Sequence, residues 1–208
     1  YRIIPNGIEY ERFANSNISA FPKFTDGKFN ILFVGRLEQR KGFRYLLQAI
    51  QLVQQHHNVR LLVVGGFKLS ETKIYQQYIK KNGLKDIEFI GYVTPTELPR
   101  WYRTAHLLCA PSLGRESFGL ILLEAMAAGL PIVASDIEGY RDVITHNVEG
   151  SLVCPTNVGA LASEISRLIC SPQLCAMFGL AGQEKASNYT WAKVTQNILD
   201  YYYELLTA

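Results

Sequence analysis

Short runs of Val, Ile and Leu recur along this chain and alternate with stretches whose apolar residues repeat at three- and four-residue steps. Apolar runs without polar alternation are typical of parallel strands that helices cover on both faces. Six strands are predicted, at Phe29–Gly35, Val59–Gly65, Ile87–Gly91, Ala105–Ala110, Pro131–Ser135 and Ser151–Cys154. The pattern therefore predicts an α/β fold, a doubly wound, Rossmann-like parallel sheet of about six strands.

The chain divides into three parts by pattern. Residues 1–26 lack a clear period and contain the turn-forming Pro5-Asn6-Gly7, so we expect an inter-domain segment. Residues 27–190 carry the strands and two amphipathic helices, one starting at Phe43 and one over 161–169. Residues 191–208 form a final helix. The start at Tyr1, without an initiator methionine, fits a domain cut from a longer protein.

Composition excludes several classes of protein. Hydrophobic residues make up 48% and the net charge is only +3, which indicates a folded domain and argues against nucleic-acid binding. The longest apolar run, Leu120–Met126, is shorter than a membrane span and is interrupted by Glu124. Cys109 and Cys154 lie in apolar strand-like runs, so we expect reduced, structural thiols and neither a metal site nor a cofactor.

The first candidate site follows the first strand. Arg36, Arg40 and Lys41 lie within six residues, between a strand and a helix. Arginine binds phosphate with two parallel hydrogen bonds, and lysine adds a point charge. Ordinary surface cations on a turn are an equally good interpretation. The G-x-G-x-x-G pattern is absent here, which weakens a dehydrogenase interpretation.

The second candidate site is the loop that leads into the apolar helix over 120–129. Free backbone N–H groups of Phe118, Gly119 and Leu120 at that helix start would bind an anion. Glu124 is a lone carboxylate among apolar neighbours and needs hydrogen-bond donors, either protein N–H groups or ligand hydroxyls such as a ribose diol. Glu116, just before the helix, either caps it or faces a sugar.

A third candidate is the exit from the strand over 87–91. The backbone of Val93 could contact the edge of a base, or this could be a plain strand exit.

Taken together, these residues resemble the carboxyl-terminal domain of the family-four retaining glycosyltransferases, whose GT-B fold has two Rossmann-like domains. Glu116 and Glu124, with seven residues between them, match that family's paired-glutamate motif. The run over 116–136 resembles the bacterial phosphatidylinositol mannosyltransferases. Residues 4–8 resemble the segment leading into the domain, and 189–191 resemble the start of the helix that crosses back to the other domain.

The resemblance implies roles for individual residues. Arg36 and Lys41 would hold the donor's diphosphate, Glu124 would bind the ribose diol, and Glu116 would lie beside the sugar. Val93 would contact the base through its backbone. The implied donor-binding residues are Arg36, Arg40, Lys41, Val93, Glu116, Ser117, Phe118, Gly119, Leu120 and Glu124, with Glu116, Arg36 and Lys41 as the catalytic ones.

The implied reaction moves a hexose, with mannose from GDP-mannose foremost, to a lipid or saccharide acceptor with retention and without metal. The partners are the nucleoside diphosphate sugar and an amino-terminal domain outside this chain. That domain would carry the acceptor site and could mediate peripheral membrane association, so we expect a cytoplasmic or membrane-surface location. The isolated chain should be inactive. Arg115 replaces the small residues of those mannosyltransferases, which leaves the sugar open.

Three alternatives stay open at this point. The chain could belong to an ADP- or UDP-glucose-dependent transferase, because bases contacted through backbone groups leave little trace in a sequence. A non-catalytic nucleotide-binding module should have lost Arg36, Lys41 or Glu124, and all three are present. A sugar-nucleotide epimerase would need its own acid and base, and no residue stands out in that role.

Overall fold

Six parallel strands form one sheet in the computed structural model, which describes residues 2–207. The strands are β1 (Phe29–Val34), β2 (Val59–Val64), β3 (Ile87–Gly91), β4 (Leu107–Ala110), β5 (Ile132–Ser135) and β6 (Gly150–Val153). Their spatial order is β3-β2-β1-β4-β5-β6. This order confirms the predicted doubly wound sheet, and it reverses direction between β1 and β4.

Helices cover both faces of the sheet. They are α1 (Tyr10–Ala14), α2 (Phe43–Val53), α3 (Leu69–Lys81), α4 (Leu98–Thr104), α5 (Leu120–Ala127), α6 (Glu138–Arg141), α7 (Val158–Ile169), α8 (Pro172–Ala186) and α9 (Trp191–Thr207). One apolar cluster lies between the sheet and α1, α4, α5 and α6. A second cluster lies beneath α2, α3, α7 and α8.

Strand β1 shows why its sequence lacks polar alternation. Leu32 belongs to the first cluster, whereas Ile31 and Phe33 belong to the second. All three side chains are buried. Successive strand residues point to opposite faces, so a strand covered on both sides is apolar on both. The buried exception in β1 is Asn30, whose amide donates to the carbonyls of Phe24 and Thr104.

The part of the predicted inter-domain segment that the structure describes, residues 2–26, is more ordered than its aperiodic sequence indicated. It contains α1 and a turn of 3-10 helix over Pro22–Phe24, and both Phe13 and Phe24 are buried in the first cluster. The Ile8 N–H donates to the Tyr189 carbonyl at 2.7 Å, which joins this segment to the chain just before α9. A five-residue helix is too short to produce a periodic pattern, so the sequence did not predict α1.

Helix α8 was also missed, because its apolar residues do not form one stripe. Phe178 is buried, whereas Met177 and Leu180 are exposed. Within the described part of the chain, no single helix is long and apolar enough to cross a membrane. One pair, Val158–Ile169 with Pro172–Tyr189, meets the length and composition requirements jointly, across a bend of 99°.

The cysteines differ from expectation in one place. All four are free thiols, and Cys109 is buried in β4, where burial raises the pKa of its thiol. Cys154 was expected inside a strand but lies just beyond β6 and is exposed. The strand ends one residue earlier than predicted, so Cys154 does not act as a small core residue.

Gly42 holds the loops after β1 and β4 together. Its φ is +69°, and a Cβ at this position would come within 1.9 Å of the Pro111 carbonyl oxygen. The Leu113 N–H donates to the Arg40 carbonyl at 2.7 Å beside this contact. Only glycine accommodates both the left-handed backbone and the close approach.

Gly42→Ala should therefore lower the free energy of unfolding by about 2–4 kcal/mol, because the left-handed strain and the clash with Pro111 add. Gly83→Ala is the matched control, since Gly83 has φ +65° but open space around its Cβ position. That variant should lose only about 1–2 kcal/mol. Urea unfolding measures both values. Equal losses would show that the contact with Pro111 does not constrain the loops.

Candidate functional site

The loops that leave β1 and β4 meet at the carboxyl edge of the sheet, where the strand order reverses. Ligands of doubly wound sheets bind in the crevice at this point. A cleft of about 400 Å³ lies here, lined by Gly114, Arg115, Glu116, Ser117, Ile137, Glu138, Gly139 and Asp142. A second hollow of about 240 Å³ adjoins it and is lined by Gln39, Arg40, Leu113, Gly114 and Arg115.

Glu116 is the centre of the charged cluster between these loops. Its Oε1 atom lies 2.7 Å from the Lys41 ammonium and 2.7 Å from Nη1 of Arg40. The Ser112 hydroxyl donates to the same oxygen at 3.2 Å. The side chains of Glu116 and Lys41 are only 12% and 14% exposed, so this ion pair is largely shielded from water. The structure therefore brings together Glu116, Lys41 and Arg40 from two separate sequence motifs.

Arg36 occupies a different position in the cluster. Its side chain is 65% exposed and pairs with Glu38 at 2.9 Å, while the other oxygen of Glu38 accepts from Arg40 Nε at 2.8 Å. Arg36 and Lys41 thus have different carboxylate partners. Sequence reasoning missed Glu38. Its position between two arginines of opposite charge, Arg36 and Arg40, was the available indication.

The start of α5, just after the cleft residues Glu116 and Ser117, has unpaired backbone donors. Within residues 2–207, the N–H groups of Phe118, Gly119 and Leu120 have no protein acceptor. Gly119 has φ +70°, and a Cβ there would lie 2.9 Å from the Tyr140 ring. Glycine is therefore required at this turn, and free N–H groups at a helix start are of the kind that bind anions. Ser117, the residue before Phe118 in the loop, is exposed.

Glu124 lies one turn further along α5. Its Oε2 atom accepts a hydrogen bond of 2.7 Å from the Tyr102 hydroxyl. Burial raises the pKa of the Glu124 carboxyl, while the Tyr102 hydrogen bond and the charge of Arg12 act to lower it. Burial also raises the pKa of Tyr102, so this phenol stays a donor. The protein donor is thus a hydroxyl group, where the sequence analysis considered protein N–H groups.

Tyr102 on α4 and Arg12 on α1 are site residues that sequence reasoning missed. The Arg12 guanidinium donates to the Pro95 carbonyl and to the Glu9 carboxylate. Neither residue belongs to a recognisable motif. Only the packing of α1 and α4 beside α5 brings them near Glu124.

Val93 lies beyond the end of β3 and is half-buried. In the described residues, its backbone N–H and carbonyl groups have no protein partner. These groups are therefore free to contact the edge of a base. Across residues 2–207, no group of three or more His, Cys, Asp or Glu side chains is placed to hold a metal ion.

Comparisons with known proteins agree with this geometry. The model of the family "Glycosyl transferases group 1" matches residues 15–185. The phosphatidyl-myo-inositol mannosyltransferase of Mycobacterium leprae is 34% identical over 99% of this chain and 54% of its own length. The chain therefore spans about half the length of the curated relatives it matches.

Solved structures show the same fold. Anabaena HepE, in complex with UDP and glucose, superposes with a TM-score of 0.84 and 25% identity over 96% of this chain and 56% of that one. The C-terminal domain of the group 1 glycosyl transferase LpcC from Francisella tularensis gives a TM-score of 0.72 at 25% identity, covering 90% of this chain and 96% of that one. A domain of this extent thus crystallised without the rest of LpcC.

The fold and these neighbours define a carboxyl-terminal domain of the GT-B class. The chain belongs to the family of group 1 glycosyl transferases. The resemblance to phosphatidylinositol mannosyltransferases, stated from the run over 116–136, is confirmed.

Glu124→Gln should stabilise the ligand-free chain at neutral pH, because burial raises the carboxyl's pKa above its ordinary value of 4.5 and so disfavours the charged form in the folded state. As the pH rises through the raised pKa, the parent chain loses stability relative to the Glu124→Gln variant, because its buried carboxyl becomes charged. The advantage of Glu124→Gln should therefore vanish below the ordinary value of 4.5. Denaturant unfolding across pH measures this difference.

Glu116→Gln provides the contrast, because it leaves the shielded Lys41 and Arg40 without their carboxylate. This variant should lose about 1–3 kcal/mol of unfolding free energy at neutral pH. Finding that Glu124→Gln destabilises the chain as Glu116→Gln does would show that burial is not the dominant influence on Glu124.

Proposed function

We propose that this chain is the donor-binding half of a retaining hexosyltransferase that uses a nucleoside diphosphate sugar. The observation that carries this proposal is the convergence of Lys41 and Arg40 on Glu116, beside the unpaired N–H groups of 118–120. Cations and free N–H groups at one crevice bind a diphosphate well.

The diphosphate would replace Glu116 as the partner of Lys41 and Arg40. Negative charge develops on this group as the bond to the sugar breaks, and prearranged cations and N–H groups stabilise that charge. Arg36, exposed at the rim and held by Glu38, is in position to add a bidentate contact. These residues would supply the charge stabilisation that a metal supplies in other phosphate chemistry.

The nucleoside would extend from the crevice toward α4 and β3. Glu124 already accepts one hydrogen bond, from Tyr102, and an ionised carboxylate has acceptor sites left for the two hydroxyls of a ribose. The free backbone groups of Val93 would contact the base. Glu116 and Ser117 line the cleft of about 400 Å³, where the transferred hexose would lie next to the diphosphate.

Mannose from GDP-mannose is the donor favoured by the relatives, since phosphatidyl-myo-inositol mannosyltransferases match 99% of the chain. A UDP-glucose donor is the second candidate, supported by the UDP and glucose bound in Anabaena HepE. Arg115 lines the cleft with φ +58° and differs from the small residues of the mannosyltransferases, so it is the residue to exchange when the sugar is tested.

Lys41→Ala should weaken binding of GDP or UDP roughly ten- to hundredfold, because a hydrogen bond to a charged group contributes about 1.5–3 kcal/mol. Lys28→Ala is the matched control. Lys28 is also partly buried and ion-paired, to Asp86 at 2.5 Å, but it lies next to the amino end of β1. The affinity of the Lys28→Ala variant for GDP or UDP should stay at the parent value. Calorimetry with a chelator present measures both variants.

Unchanged affinity in Lys41→Ala, or a strict requirement for magnesium, would contradict the proposed diphosphate site. A loss of equal size in Lys28→Ala would show that the effect comes from stability alone.

The 208-residue chain should transfer no sugar by itself, since donor and acceptor must be held at reacting distance and the acceptor site is proposed to lie in another half of the protein. Helix α9 supports this proposal. Its exposed apolar residues include Trp191, Leu199, Tyr202, Leu205 and Leu206. A surface of this kind is typical of an interface.

The test compares sugar transfer by the 208-residue chain with transfer by a longer form of the protein that carries the acceptor-binding half. Binding of GDP or UDP by the short chain is the control for its folding. Transfer at similar rates by both forms would overturn the proposed division of labour.

A further inference from the structure

Arg12 joins three segments of the nucleoside side of the site. Its Nη2 group donates to the carbonyl of Pro95, in the loop that leaves β3 just after Val93. Its Nη1 group donates to the Glu9 carboxylate within the inter-domain segment. Its positive charge also acts on Glu124 across the interface between α1 and α5. One side chain thus connects the segment before the domain with the proposed base loop and the proposed ribose carboxylate.

The next residue fixes the position of α1 against the same carboxylate. Phe13 is buried, and its ring packs edge-on against Tyr102 with centroids 5.5 Å apart. Tyr102 in turn donates to Glu124. Consecutive residues of α1 therefore reach Glu124 in two ways, Phe13 through the orientation of Tyr102 and Arg12 through its charge.

The Nε atom of Arg12 is fully buried and has no acceptor in the described structure. A buried donor without a partner costs about 1–3 kcal/mol and is rare in native proteins. Arg12 is held in this position although packing alone would favour a less polar residue. Such a locally unfavourable arrangement is commonest at functional sites.

We propose that Arg12 is a positioning residue for the nucleoside half of the donor, acting through its hydrogen bond to the Pro95 loop and through its charge beside Glu124. This inference rests on the proposed function, since it requires Glu124 to accept the ribose hydroxyls.

Electrostatics gives the proposal a measurable consequence. The titratable and charged groups that act on Glu124 in the described structure are Tyr102 from α4 and Arg12 from α1, and the rest of α5 is apolar. Arg12 itself pairs with Glu9, just before α1. Burial raises the pKa of Glu124, and Tyr102 and Arg12 oppose that rise. Without the charge of Arg12, the carboxyl would be protonated at higher pH and would then accept fewer hydrogen bonds from a ribose.

The experiment measures the ratio of affinities for UDP and 2′-deoxy-UDP, and for GDP and 2′-deoxy-GDP, from neutral pH down to 4.5, the ordinary value above which the pKa of the carboxyl is raised. The terminal phosphate also titrates in this range, but it does so equally in both members of a pair. The ratio therefore isolates the ribose contact. Glu124→Gln sets the reference for a site without an ionisable carboxylate.

The Arg12 variants distinguish the effect of the Arg12 charge from the effect of its hydrogen bond to the Pro95 carbonyl. Arg12→Met and Arg12→Gln remove the charge, and Arg12→Lys keeps it without the planar guanidinium. Arg100→Met is the matched control, because the Arg100 guanidinium also anchors residues 1–26, stacking 4.0 Å above the Phe21 ring and donating to the Ser19 carbonyl. Arg100 is not among the groups that act on the Glu124 carboxyl.

In the parent chain the ribose preference should be present at neutral pH and decline toward acid. In Arg12→Met and Arg12→Gln the decline should begin at higher pH, so that the preference is about fivefold to tenfold lower at the pH where the parent still retains it. Both nucleotides of a pair should also bind more weakly at neutral pH, because the Pro95 loop is released. Arg12→Lys should restore the pH profile but not the overall affinity. Arg100→Met should lower stability and leave the ratio unchanged at every pH.

A parent-like ratio at every pH in a folded Arg12→Met or Arg12→Gln chain overturns the role of Arg12 and leaves the proposed function standing. A shift of the same size in Arg100→Met also overturns it, because the effect would then follow from loosening residues 1–26. Failure of the parent chain to bind any of the four nucleotides overturns the proposed function itself, and the role of Arg12 with it.

Discussion

The paired contact of Lys41 and Arg40 with one oxygen of Glu116 is the interaction on which the site depends. It joins the loop after β1 to the loop after β4, which are far apart in sequence and adjacent only because the strand order reverses between these strands. Shielded charges require partners, so neither loop can hold its charged residues in this place without the other. The close approach of Gly42 to Pro111 fixes the same two loops through backbone contact.

This arrangement bears on the proposed function. The charge of the cations is balanced by Glu116 and Glu38. The diphosphate of the proposed donor would displace carboxylates, and its binding energy would be gained as a difference between two sets of ion pairs. The same balance holds Lys41 in place beside Glu116, which would reduce the ordering that binding requires. Glu124 follows a different principle, because burial rather than pairing sets its charge.

Much of the fold could be predicted from residue pattern. Strand ends lie within two residues of their predicted positions, since strands covered on both faces are short, predominantly apolar runs. Helix α1 could not be predicted because five residues carry no period, and α8 because apolar residues lie on more than one of its sides. For the site, charge and glycine spacing identified Lys41, Glu116, Gly119 and Glu124. The same reasoning grouped Arg36 with Lys41, whereas the structure pairs Arg36 with Glu38.

The amino-acid sequence alone was sufficient for the sheet class, the position of both loops and the family, because these follow from local patterns and from the spacing of the two glutamates. Which charged groups pair, and what surrounds Glu124, was decided by tertiary structure. Tyr102 lies on α4, 22 residues before Glu124, and Arg12 lies on α1, in the segment ahead of β1. No common motif links the two residues. The hydrogen bond of Tyr102 to the carboxylate, and the influence of the Arg12 charge on it, exist only because α1 and α4 pack beside α5. Electrostatic partners depend on distance in space, which no local pattern encodes.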